Sequence, residues 1–167
     1  MAGTDEAFQT ALIEVQQLTA FLNKKPLVPF EVSLALSREY SRSMWDKVLN
    51  TGCTSGKASR TPGTAMVAGD HADFVSYMRS ISDDLATQIE IVREGVEHYF
   101  ENGESPAPAY ALRVGVILRK RRLYRIEADF LEAFAAHFSR ERSGRTEMQI
   151  AARAIKARAL ATRVEAG

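Results

Sequence analysis

Apolar residues recur at three- and four-residue steps over most of this chain, the spacing that lines one face of an α-helix. Phe8, Leu12, Val15, Leu18 and Leu22 predict a first helix from about Asp5 to Asn23, with Thr4 as its cap. Pro26 and Pro29 end it and impose an extended turn. Pro29 and Glu31 suit the first turn of a second helix. Its apolar side is Leu34, Leu36, Tyr40, Met44, Trp45 and Val48, and it stops near Asn50 to Gly52. Residues 51–69 hold four glycines, one proline and six Ser/Thr, a composition that disfavours helix and predicts a long loop.

Phe74, Tyr77, Met78, Ile81, Leu85, Ile89, Val92, Val96, Tyr99 and Phe100 continue the helical step without a gap. They predict one long third helix from Asp70 to Glu101, stopped by Asn102 and Gly103. A fourth helical region, Ala109 to Arg140, carries Leu112, Val116, Leu123, Ile126 with Glu127, Phe130, Leu131, Phe134 and Phe138. An interruption is expected in it, near Gly115 or within its basic run. The fifth helix, Thr146 to Val164, is alanine-rich. The expected fold is therefore all-α: one domain, 1–167, a bundle of about five helices. Its centre would be an antiparallel hairpin of helices three and four.

Composition narrows the class little. With 46% hydrophobic and 26% charged residues, the chain reads as an ordinary globular one. No apolar run approaches the ~20 residues of a membrane span, so no membrane partner is expected. The acidic N-terminus lacks the basic region of a signal peptide, which makes a cytoplasmic location the expectation. A lone cysteine, Cys53, rules out an internal disulfide.

Charge is more informative. Residues 1–107 carry 9 Lys/Arg against 15 Asp/Glu, a net of −6, whereas residues 108–167 carry 13 against 6, a net of +7. The basic part has two foci. Arg119, Lys120, Arg121, Arg122 and Arg125 form a dense run. Consecutive helical residues lie ~100° apart, so such a run rings a helix and cannot make one stripe. On the fifth helix, Arg145, Lys156 and Arg163 align, with Arg153 beside them. A narrow small-residue face, Met148, Ala151, Ala152, Ile155 and Ala159, lies elsewhere on that helix. It suits docking either on the chain's own core or on another protein. A hairpin turn centred at Glu104 and Ser105 would set Arg119 opposite Glu90, Arg125 opposite Asp84 and Arg113 near Glu97.

Candidate chemistry is thin. Gly52 to Lys57 imitates a phosphate loop, but Thr51 and Ala58 occupy the positions of its first glycine and last hydroxyl residue, and a helix precedes it where a strand should. Glu90, Glu94, Glu97 and His98 cluster on helix three without the Glu-x-x-His step of carboxylate-bridged metal bundles. No nucleophile stands in a local signature with His71, His98 or His137. No catalytic residue, cofactor or metal is therefore expected. The expected function is a non-enzymatic interaction module, an adaptor or subunit of an assembly, whose partner is another protein or a second copy. The alternative is a nucleic-acid-binding or regulatory protein using the 119–125 run and the C-terminal helix.

Overall fold

In a computed structural model of the chain, residues 2–52, 71–138 and 144–166 are described, and they form seven helices and no strand. These are α1 (Ala2–Lys24), α2 (Phe30–Thr51), α3 (His71–Ser80), α4 (Leu85–Asn102), α5 (Pro108–Lys120), α6 (Tyr124–Phe138) and α7 (Arg145–Glu165). The loop expected at 51–69 and the phosphate-loop imitation with Cys53 lie, beyond Gly52, outside the described residues.

The core is built by α1, α4, α5, α6 and α7. The expected face of α1 is the buried one: Val15, Leu18 and Leu22 are enclosed, joined by Ala11. The helix begins at Ala2, so Thr4 lies inside it rather than at a cap. Ile89, Val92 and Val96 of α4 meet Val114, Ile117 and Leu118 of α5, and Phe130, Leu131 and Phe134 of α6 complete the cluster. Edge-to-face aromatic pairs bind three helices at one end: Phe21 with Phe100 at 5.8 Å, and Tyr99 with Phe138 at 5.0 Å. Helix α2 lies outside this core. Its one packed neighbour among the helices is α4, and its one buried residue is Ser33.

Two expected helices are each divided. The third breaks at Ile81 to Asp84, where Asp84 caps α4 by accepting from the Ala86 and Thr87 amides. Thr87 Oγ1 also donates to Asp84 Oδ2 at 2.6 Å. The buried Gln88 side-chain amide donates to the Ile81 carbonyl at 2.9 Å, which also accepts from the Asp84 amide at 3.1 Å, so the turn is tied to α4. The fourth region breaks inside the basic run, and Gly115 stays within α5. The Leu123 amide reaches back to Leu118 O at 3.0 Å and the Arg122 amide to Arg119 O at 2.9 Å, the Schellman pattern of a helix end. Arg122 occupies its left-handed position with φ 58°, where glycine is usual. Arg122→Gly is therefore expected to stabilise the protein by about 0.5–1 kcal/mol, measured by denaturant unfolding.

The expected hairpin register does not hold, for a geometric reason. Residues 103–107 are not a tight reversal. Gly103 is left-handed at the end of α4, Ala107 is extended at the start of α5, and Pro106 packs on Gly95 so closely that a Cβ there would lie 2.9 Å from the proline Cβ. An extended residue advances ~3.3 Å against 1.5 Å per helical residue. The linker therefore carries the start of α5 well back along α4. Arg113 donates to the Ser82 carbonyl and to Asp83 Oδ1 at 3.0 Å, rather than meeting Glu97. Arg119 turns to α6 rather than Glu90, and Arg125 to α7 rather than Asp84.

Candidate interaction surface on the C-terminal helix

The basic run is mostly consumed inside the molecule. Arg119 grips Glu127 with two nitrogens, each at 3.0 Å. Lys120 holds both oxygens of Asp83 at 2.7 and 2.9 Å. Arg125 meets Glu165 at 3.2 Å. Arg121 lies over the Phe8 ring, 4.6 Å from its centroid. Arg122 is exposed in the turn, with no carboxylate beside it among the described residues.

Lys120 and Arg113 together hold the Asp83 carboxyl below its ordinary value of 3.8. A depressed native pKa means that the pair contributes above 3.8 and is lost as pH falls through the lower native value. Asp83→Asn should therefore lower the thermal midpoint at pH 7, and this difference should be smaller at pH 3. Melting curves at both pH values check it.

Glu127 is the centre of the α5–α6–α7 junction. Its side chain is fully buried, and Arg153 of α7 donates at 2.7 Å to Oε1, the oxygen that one Arg119 nitrogen also contacts. Arg153 also donates to Gly115 O at 3.3 Å, and Arg119 to Arg153 O at 3.4 Å. One buried carboxylate thus ties three helices. Farther along, Arg158 holds Asp129 at 2.6 Å and Glu132 at 2.6 and 3.0 Å. These carboxylates push the Arg158 pKa up.

These two arginines decide how α7 lies. Its wheel has two small-residue stripes. Ile150, Ala154, Ala157 and Ala161 are buried, flanked by Arg153 on one edge and Arg158 on the other. The stripe singled out in the sequence, Met148 to Ala159, is the outward one. Met148 is 59% exposed and Ile155 72%, with Ala152 and Ala159 exposed between and beyond them. Ala151 is half-buried at its margin. Docking this face on the chain's own core is thereby excluded, since Arg153 must reach Glu127.

Arg145, Lys156 and Arg163 form a third row beside the outward stripe. Their spacing is three turns and then two, so they line up along ~27 Å of helix. All three are exposed, and no carboxylate pairs with them among the described residues.

The other sequence candidates lie apart from this surface. Glu90, Glu94 and Glu97 are exposed on α4. His98 Nε2 faces Glu104 at 3.1 Å and its Nδ1 faces Asn102 at 3.1 Å, under the Tyr40 ring. No group of three His, Cys, Asp or Glu able to share an ion occurs among the described residues. A cleft of about 550 Å³ between α2, the 103–106 linker and the end of α6 is lined by Tyr99, Phe138, His137 and Glu104. Its Ser33 hydroxyl donates to Phe30 O at 2.9 Å and His137 Nε2 meets Leu22 O at 2.8 Å, so neither pairs with the other as nucleophile and base.

Sequence reasoning missed Glu127, Asp129, Glu132 and Arg158. A short connection favours an antiparallel pair of helices, in which equal spacing would set Glu127 by Arg158 and Glu132 by Arg153, so the spacing carried no signal for the pairs that form.

Fold and surface together define a helical bundle, built by α1 and α4 to α7 among the described residues, whose basic run is largely neutralised internally and whose last helix presents a second, outward face. Comparison with protein-family models, with curated proteins and with solved structures finds no match. Among the described residues no helix is long and apolar enough to cross a membrane.

Proposed function

We propose that this chain is a non-enzymatic interaction module, an adaptor or assembly subunit, that docks another protein on the outward face of α7. One observation carries the reading. Helix α7 is already secured by its inner stripe and by Arg153 and Arg158, yet it exposes Met148 and Ile155 in a row beside cations that no carboxylate among the described residues pairs. Apolar stripes that fold stability does not use are characteristic of binding faces.

Nucleic-acid binding draws on the same row plus Arg122. It receives less support, because Arg119, Lys120, Arg125 and Arg153 already hold carboxylates. Phosphate-dominated binding also makes no use of Met148 and Ile155.

A photo-crosslinking residue at Ile155, with a control at the exposed Gln17 of α1, tests the reading in the source cells. A discrete protein adduct from 155 and none from 17 is the expected result. No adduct at 155, or an adduct to DNA or RNA, overturns it.

A further inference from the structure

We infer that the occupant of this face is an amphipathic helix of another protein with an acidic flank; the inference rests on the docking reading above and specifies its partner. The stripe itself argues for a helix. Ala151, Ala152 and Ala159 leave a shallow channel beside Met148 and Ile155. Small residues allow helix axes to approach within the ordinary 8–10 Å. A straight apolar row of several turns is the template for helix-on-helix recognition.

Charge selects which helix. On one edge stand Arg145, Lys156 and Arg163, exposed and without a carboxylate among the described residues. On the other edge, Arg158 is already held by Asp129 and Glu132. The face therefore has one open cationic flank and one neutralised flank. A partner helix meets both when its apolar stripe carries Asp or Glu along a single side, at intervals of about three and two turns. Opposite charge across the rim fixes orientation and register more than it adds affinity.

A second copy of the chain fits poorly. A two-fold pair of antiparallel α7 helices sets the cationic row against itself. A parallel pair sets it against the Arg158 edge, whose carboxylates are taken. The acidic row of α4, Glu90, Glu94, Glu97 and Glu101, has the charge, but those four side chains bring nothing apolar to cover Ile155.

The test uses the full chain and three synthetic helical peptides matched in length to α7. They share one Leu/Ala stripe and differ only in the flanking row, which is Glu, Gln or Lys. Fluorescence anisotropy should show the Glu peptide binding about tenfold more tightly than the Gln peptide, with the advantage falling as salt rises. The Lys peptide should bind least. The double variant Lys156→Glu/Arg163→Glu should reverse the order of the Glu and Lys peptides. Ile155→Asp, at a position exposed enough to leave the helical circular-dichroism signal unchanged, should abolish all binding.

Equal binding of the Glu and Gln peptides overturns the acidic partner and leaves the docking reading standing. So does failure of every peptide alongside a protein adduct at residue 155. Loss of that adduct removes the docking reading itself. A concentration-dependent dimer in sedimentation equilibrium that Ile155→Asp abolishes assigns the face to a second copy and also overturns the inference.

Discussion

Glu127→Ala is expected to destabilise the protein by about 3 kcal/mol, measured by urea unfolding. The change strips the shared partner from Arg119 and Arg153 at once. Two guanidiniums at the α5–α6–α7 junction then face each other and a cavity. Their side chains remain 27% and 20% exposed, so water relieves part of the cost and keeps the loss at the lower end for a broken buried pair. Glu127→Gln should fall in between, because the amide still accepts from one arginine but carries no charge. The triple change Arg119→Met/Glu127→Leu/Arg153→Met is expected to recover most of the loss, since apolar groups of similar volume remove the desolvation term altogether. A triple variant as weak as Glu127→Ala would show that the network contributes net stability rather than register.

That register is functional on the reading proposed here. In the triple variant nothing anchors Arg153's edge of α7, and the helix has two apolar stripes of similar size. Its outward stripe should therefore become less well defined, and crosslinking from residue 155 should fall even where stability is restored.

Gly103→Ala is expected to release α2 from the bundle. Gly103 sits at the C-cap of α4 with φ 75°, in the left-handed region. An alanine there costs roughly 1–2 kcal/mol in backbone alone. Its Cβ would also lie far inside van der Waals contact with the Ser33 carbonyl oxygen and 2.9 Å from both Leu36 Cβ and the Ser37 amide nitrogen. All three atoms belong to α2, and two are backbone, so no rotamer change relieves the overlap. Because α2 is held by α4 alone among the helices, the relief is for α2 to move off. Hydrogen exchange should accelerate at least tenfold across Phe30–Thr51 while α6 and α7 keep their protection. Gly52 supplies the control, with φ 63° and nothing among the described residues within 4 Å of its would-be Cβ. Gly52→Ala should cost the backbone term, roughly 1 kcal/mol, and leave α2 docked. Equal effects at the two glycines would refute the steric account.

The helices themselves were legible in the chain, and some of their breaks were too. Ser82-Asp83-Asp84 followed by Thr87 is an N-cap signature. The unbroken apolar step from Ile81 to Leu85 masked it, because a short turn can keep the same hydrophobic residues pointing inward. The break within the basic run was one of the two places expected, but its residue was not marked, since the left-handed position holds Arg122 where glycine is usual. The hairpin register fails because the chain does not reverse tightly at Glu104 and Ser105. Pro106 and Pro108 favour extended backbone, and an extended linker displaces every pairing that follows.

By itself, the sequence determined that the chain is helical, roughly where each helix runs, and that positive charge gathers towards the C-terminus. These follow from periodicity, caps and composition, which act within a few residues. Tertiary structure alone decided which carboxylate neutralises which arginine, and with it which stripe of α7 faces water. Two stripes of comparable apolarity differ too little in burial energy to choose between them. The choice falls to Arg153 reaching Glu127, a contact between residues 26 positions apart that exists only once α5, α6 and α7 have met.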